Sequence, residues 1–129
     1  MSDTAFTSAT PIFRIFDEEL ARSFYVDFLG FTVEFEHRFE DDLPLYQGLT
    51  LGDCSLHLSG HFGDCTPGSK VRIQTRNLLE FATDLRKKNY KHCRPGNPCP
   101  TPWGEIDLTI VDPFGNKLTF WEAIPNKTS

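Results

Sequence analysis

The chain has 129 residues, 13% of them aromatic, and its 13 Lys and Arg against 18 Asp and Glu give a formal net charge of −5. This length favours one domain with a hydrophobic core, and the acidic balance argues against a nucleic-acid partner, whose phosphates need basic surface. No apolar run reaches the roughly 20 residues of a membrane span. The first residues lack a signal-peptide pattern, so we expect a cytoplasmic protein with no membrane partner.

The first half of the chain is predicted to form a strand, a helix and three more strands. The first strand is expected at residues 10–16. The helix is expected at 17–29, on an apolar stripe with four-residue spacing formed by Leu20, Phe24 and Phe28. β-rich runs follow at 31–35 and 55–59.

The same order recurs about half a chain length later. A strand is expected at 70–75, a helical stripe begins after Asn77, and two strands at 106–111 and 117–122 enclose a turn. Such a repeat decides the architecture. We therefore predict an α+β fold of two tandem βαβββ modules forming a curved mixed sheet. The modules are expected at about 8–60 and 68–124, within a single domain at 1–129.

The four cysteines follow no recognisable disulfide or zinc spacing. They are Cys54, Cys65, Cys93 and Cys99. In a reducing cytosol we expect them to be free thiols.

Motifs in both halves carry a family resemblance. Ala-Thr-Pro-Ile-Phe-Arg at 9–14, followed by Ser-Phe-Tyr-Val-Asp-Phe-Leu-Gly-Phe at 23–31, is similar to the opening module of the vicinal oxygen chelate superfamily. This superfamily includes glyoxalase I, extradiol dioxygenases and bleomycin resistance proteins. Pro-Trp-Gly at 102–104, Asp-Pro-Phe-Gly-Asn at 112–116 and Phe120 resemble the bleomycin resistance branch. That branch implies a homodimer with drug-binding clefts between two chains.

The resemblance also indicates where a metal would bind. It places the metal-ligand positions of the superfamily at Thr10, His57, Lys70 and Thr119. Only His57 suits a catalytic divalent metal, because an ammonium repels the ion and threonines are poor ligands. We therefore expect no metal and no cofactor. A relocated metal on His57 and His61, in a glyoxalase- or dioxygenase-like enzyme, is the alternative, although the strand is expected to end between these histidines.

A set of ligand-binding residues follows from the resemblance. They are Glu34, Phe35, Phe39, His57, Ser59, Arg72, Trp103 and Thr119. Trp103 lies in a loop, where an indole has little to cover except a ligand. Phe35 would ordinarily be a core residue, and alternation puts Glu34 and Glu36 together on the other face, either solvated or attracting a cation. Arg72 departs from the pattern, because its guanidinium would repel a cationic drug.

The expected function is small-molecule binding without catalysis. A cytoplasmic homodimer would confer antibiotic resistance by stoichiometric sequestration of a planar, cationic drug of the bleomycin type. Stacking by Trp103, Phe39 and Phe35 would hold the drug, together with attraction by Glu34 and polar contacts from His57 and Ser59. Whether the modules pair within one chain or between chains stays open at this point, as does the physiological ligand.

Overall fold

A computed structural model describes residues 3–125 as two modules of the same topology. The first module consists of the strands β1 (Ile12–Arg14), β2 (Thr32–His37), β3 (Tyr46–Leu51) and β4 (Cys54–Ser59), with a helical segment between β1 and β2. The second module consists of β5 (Lys70–Gln74), α2 (Leu78–Lys87), β6 (Cys99–Pro100), β7 (Glu105–Val111) and β8 (Lys117–Ala123). The predicted order of strand, helix and three strands is confirmed in both halves.

Each module forms its own four-stranded mixed sheet. The strand orders are β1-β4-β3-β2 and β5-β8-β7-β6. The pairs β1–β4 and β5–β8 are parallel, and the remaining pairs are antiparallel. The α+β fold class is therefore confirmed. Within residues 3–125, strand pairing connects strands of the same module only.

The helical segment of the first module has two parts. Helix α1 (Glu18–Arg22) is capped by the preceding residue, Asp17, whose side chain accepts a hydrogen bond from the backbone N–H of Leu20 at 2.9 Å. This is the N-cap arrangement that satisfies a free donor of the first turn. The chain then continues as a π-helical segment at Ser23–Phe28. The single α-helix predicted at 17–29 thus widens in its second half, where the aromatic side chains Phe24, Tyr25 and Phe28 are buried.

Helix α2 receives its N-terminal cap from the sheet. Asn77 precedes the helix with a φ of 59° and makes no side-chain cap. Instead, the carboxylate of Glu122 on β8 accepts the backbone N–H groups of Asn77 at 3.0 Å and Leu78 at 3.1 Å. A negative charge at this position also suits the positive end of the helix dipole. The cap ties α2 to β8.

The core lies between the sheets and the helices. It is one cluster that draws on both modules, with Phe13, Phe24, Phe28, Leu58, Leu78, Ile110, Leu118 and Phe120 among its members. In the part of the chain that the structure describes, the helical segments bury their side chains in this core, and the opposite face of each sheet carries no helix. No helix within residues 3–125 is long and apolar enough to cross a membrane.

A buried hydrogen-bond network joins the two modules. The hydroxyl of Tyr25 donates to Oδ2 of Asp112 at 2.5 Å, and Nδ2 of Asn116 donates to the same oxygen and to the carbonyl of Arg14, both at 2.9 Å. Burial, reinforced by the Asp112 carboxylate, raises the pKa of Tyr25, so its hydroxyl stays protonated and donates. Gly115 completes the turn with a φ of 90°, which glycine adopts without strain.

Candidate functional site

Alternate side chains of each sheet point away from the helices and form two open faces. The first open face contains Ile12, Phe35, Tyr46, Gly48 and His57, and the second contains Arg72, Glu105, Thr109, Thr119 and Trp121. The two faces correspond by register. His57 pairs with Gly48 and Ile12 in the first sheet, as Thr119 pairs with Thr109 and Arg72 in the second.

The first open face is built around the ring of Phe35. A Cβ atom on Gly48 would lie 2.2 Å from Cε1 of this ring, so the ring occupies the space above the glycine. The ring stacks on Tyr46 with centroids 6.3 Å apart and meets His57 edge-on at 5.2 Å. The hydroxyl of Tyr46 and Nδ1 of His57 are 2.8 Å apart. Phe35 is nevertheless 40% exposed, which leaves one side of its ring free.

Phe35, one of the expected ligand-binding residues, lies on the first open face and not in the core, where an aromatic residue of a strand is usually found. The pairing of β2 with β3 shifts register between Val33 and Phe35. This irregularity breaks the alternation, so Val33 packs against the core while Phe35 joins the open face. Glu36 accepts a hydrogen bond from the buried Gln47 at 2.9 Å. Glu34 is exposed.

A cavity of about 380 Å³, here called the aromatic pocket, lies at one end of the first open face. It is lined by Phe35, His37, Phe39, Tyr46, His61 and Asp64. The ring of Phe39 meets His37 edge-on at 4.6 Å and His61 at 5.7 Å. Phe39 is 70% exposed. The pocket therefore presents aromatic surface that the fold itself does not cover.

Ser59, one of the expected ligand-binding residues, is buried and holds the loop after β4. Its hydroxyl donates to Oδ2 of Asp64 at 2.6 Å and accepts the backbone N–H of His61 at 3.1 Å. Nε2 of His61 is buried without a partner among the described residues, which is unusual for a polar atom. Burial, together with the negative charge of Asp64, raises the pKa of Tyr46, so this hydroxyl is neutral at ordinary pH.

The second open face is polar, and its groups bind one another. Arg72 donates to Oε1 of Glu105 at 2.6 Å, and its guanidinium lies 5.0 Å from the ring centroid of Trp121. The indole N–H of Trp103 donates to the same oxygen of Glu105, also at 2.6 Å. Trp103 is 64% exposed. Thr119 is buried and shares a hydrogen bond of 2.8 Å with Thr109.

The ligand positions of the metal-dependent enzymes do not fit a metal ion in this chain. Thr10 precedes β1, and the residue that pairs with His57 across the parallel strands is Ile12. The corresponding partner of Thr119 is Arg72. Isoleucine and arginine are not ligands of divalent metals. Among residues 3–125, no three or more His, Cys, Asp or Glu side chains form a group that could hold a metal.

Four residues of the aromatic pocket were absent from the expected ligand-binding set: His37, Tyr46, His61 and Asp64. Of these, His61 was considered only in the alternative of a relocated metal. The sequence signal for Tyr46 is its place at the start of an alternating strand. Its contact with His57, however, depends on the register between β3 and β4, which the local sequence pattern does not predict.

Nearly the whole chain matches one family. A model of the family described as "Glyoxalase superfamily protein" matches residues 1–127. The chain belongs to the glyoxalase superfamily. The vicinal oxygen chelate resemblance is thereby confirmed at the level of the superfamily.

Solved structures share the glyoxalase-superfamily fold. A bleomycin-binding protein complexed with bleomycin has 22% identity and a TM-score of 0.71, over 91% of this chain and 98% of that one. TnmS3, an antibiotic-binding protein from Streptomyces sp. CB03234, has 22% identity and a TM-score of 0.69, over 93% and 99%.

A member of the glyoxalase/bleomycin resistance protein/dioxygenase superfamily from Sphaerobacter thermophilus DSM 20745 has 20% identity and a TM-score of 0.70, over 92% and 98%. No significant match was found among curated proteins. At these identities the likeness establishes the fold, and a fold of this kind hosts several functions.

Proposed function

We propose that this protein binds a planar, cationic small molecule of the bleomycin type and sequesters it stoichiometrically, without a chemical step. The observation that carries the proposal is the exposed aromatic surface of the first open face. Phe35 is held against Tyr46 and His57 with one side of its ring free, and Phe39 extends beyond it. Exposed rings in a cleft favour a ligand that stacks.

The second open face supports the same proposal through Trp103. Its exposed indole is oriented by the hydrogen bond to Glu105, so it offers a flat surface at a defined angle. Arg72 was expected to oppose a cationic ligand. Its charge is paired with Glu105 and lies against Trp121, which reduces that repulsion.

A homodimer is part of the proposal. Each open face supplies one wall of a cleft, and a symmetric partner can supply the opposite wall. Large apolar side chains such as Leu43 in the loop before β3 and Leu79 on α2 are exposed outside the two faces and offer surface for such a contact. Light scattering at micromolar concentration tests this. A monomer would contradict a cleft shared between two chains.

Titration with bleomycin tests the binding itself. Isothermal calorimetry on protein treated with a chelator should give stoichiometric binding, because no metal is required. Phe35→Ala should weaken binding by about 1–3 kcal/mol, the range for a well-packed aromatic contact. Phe6→Ala is the control, because Phe6 lies before β1 and is 98% exposed.

Two results would contradict the proposal. One is the absence of bleomycin binding at high micromolar drug. The other is retention of one equivalent of metal that His57→Ala abolishes, which would favour the enzyme alternative instead.

A further inference from the structure

The aromatic pocket encloses space between rings that face in different directions. Phe39 stands edge-on to His37 and His61, whereas Phe35 and Tyr46 are nearly parallel, at 18°. The cavity of about 380 Å³ has room for a compact organic group. The faces of aromatic rings carry partial negative charge and attract cations placed over them.

One full negative charge borders the same cavity. Oδ2 of Asp64 is occupied by the hydroxyl of Ser59, while Oδ1 takes part in no hydrogen bond within residues 3–125. The pKa of Tyr46 is raised mainly by burial and, second, by the charge of Asp64. The charge of Asp64 therefore acts inside the pocket.

Among residues 3–125, no lysine or arginine lines the pocket. Arg38, which lies between His37 and Phe39 in the sequence, is held elsewhere. Its guanidinium donates to the carboxylate of Glu18 and to the backbone carbonyl of Leu43. Arg14 pairs in register with Ser59, and it opposes the effect of Asp64 on the pKa of the nearby Cys65 thiol, which burial raises. Among the described residues, however, Asp64 forms no ion pair with Arg14 or with any other cation. The ring-lined cavity therefore keeps a carboxylate without a salt-bridge partner.

We infer that the aromatic pocket is a subsite for a methylated ammonium group, bound by cation–π contact with Phe35, Phe39 and Tyr46 and by the charge of Asp64. The inference rests on the proposed function, since it takes the first open face as the ligand-binding face, and it names the chemistry that this face selects. An anion would be repelled by Asp64. A neutral apolar group would gain nothing from the carboxylate.

A pair of probes with the same shape and different charge tests the inference. Choline carries a trimethylammonium group, and 3,3-dimethylbutan-1-ol replaces its nitrogen with carbon. Both are titrated by NMR at pH 8, where histidine side chains are ordinarily neutral. Choline should bind about 3- to 30-fold more tightly than the alcohol, the range of cation–π energies. Equal affinities, or no choline binding at millimolar concentration, would overturn the inference.

Variants locate the binding in the pocket. Phe39→Leu keeps an apolar side chain and removes the ring, so it should weaken choline by about 3- to 30-fold and leave the alcohol unchanged. Asp64→Asn should also weaken choline selectively. Phe62→Leu is the matched control, because Phe62 is an exposed phenylalanine that does not line the pocket. Full choline affinity in Phe39→Leu would overturn the inference.

The two proposals fail in different ways. Bleomycin binding without selective choline binding would refute the ammonium subsite and leave drug sequestration in place. Selective choline binding without bleomycin binding would refute drug sequestration and leave the subsite in place.

Discussion

The two open faces have the same topology and register but opposite chemistry. Corresponding positions hold Ile12, Gly48 and His57 in the first sheet and Arg72, Thr109 and Thr119 in the second. Where the first sheet has a glycine, the ring of Phe35 lies on the backbone. Where the second has Thr109, a hydroxyl bonds to Thr119. A repeated scaffold can thus carry one face with exposed aromatic rings and another whose polar groups pair with one another.

This difference indicates where binding energy is available. On the second face, Arg72, Glu105 and Trp103 already use their polar groups on each other. A ligand there replaces existing contacts and gains little. On the first face, a ligand that covers the exposed rings gains binding free energy in proportion to the apolar area that it buries. We therefore expect the first face to dominate the affinity, with the second contributing mainly through the indole of Trp103.

The largest effect is expected on stability, from a substitution that weakens the contact between the two modules. Asp112→Ala removes the acceptor of the Tyr25 hydroxyl, the Asn116 side chain and two backbone N–H groups of its own turn. The substitution leaves several buried donors without an acceptor, which costs about 3–5 kcal/mol in total. Urea denaturation measures the free energy of unfolding, and Asp84→Ala on the exposed side of α2 is the control. If Asp112→Ala lowers the free energy of unfolding no more than Asp84→Ala does, the network does not hold the modules together.

A second effect on the module contact depends on pH. The unfolded chain ionises Tyr25 near its ordinary pKa of 10.0, whereas the folded chain retains the proton because its pKa is raised. Above pH 10 the unfolded state therefore binds fewer protons, and stability falls as pH rises, by about 1.4 kcal/mol per pH unit. Tyr25→Phe should remove that part of the slope. Parallel pH slopes for the two proteins, measured by denaturant unfolding, would contradict this.

Trp103→Ala tests how much the second open face contributes to ligand binding. The indole is mostly exposed, so the melting temperature should change little. Bleomycin affinity, measured by calorimetry, should fall by about 1–3 kcal/mol if the indole stacks on the ligand. Phe16→Ala, at a similarly exposed aromatic residue, is the control. Unchanged affinity with a collapsed melting temperature would make Trp103 structural and the cleft misplaced.

The smallest effect is expected from the ion pair of the second face. Glu105→Gln should change the free energy of unfolding by less than about 1 kcal/mol, because the guanidinium of Arg72 is half exposed. It should weaken a cationic ligand a few-fold, since the charge of Arg72 is then unpaired. The double variant Arg72→Met/Glu105→Gln should restore the affinity. Failure to restore it would mean that charge repulsion is not the cause.

Most of the fold could be predicted because its signals are local. The four-residue apolar spacing gave the first helix, and the turn around Gly115 located the last two strands. The cap of α2 could not be found in this way, because Glu122 lies on β8, far along the chain from Asn77. The widening of the first helix at Ser23–Phe28 also leaves no distinct pattern, since Phe24 and Phe28 suit an α-helix equally well.

The candidate site was less predictable because it depends on strand pairing. Trp103 was selected as an aromatic residue in a loop and Phe39 through the family resemblance, and both side chains are exposed. The sequence left open whether Phe35 lies on the core side or the open side of its strand, because a register shift does not show in an alternating sequence. Ser59 and Thr119 are at the expected strands but are buried by partners that only the tertiary structure supplies.

The glycine at position 48 has a further consequence for the entropy of binding. The ring of Phe35 is held by the backbone below it, by Tyr46 and by His57, so its rotational freedom is already lost when the chain folds. A ligand that stacks on this ring does not have to immobilise it. An exposed aromatic side chain ordinarily loses conformational entropy when a ligand binds. Phe35 has already lost this entropy on folding, so more of the stacking energy contributes to affinity.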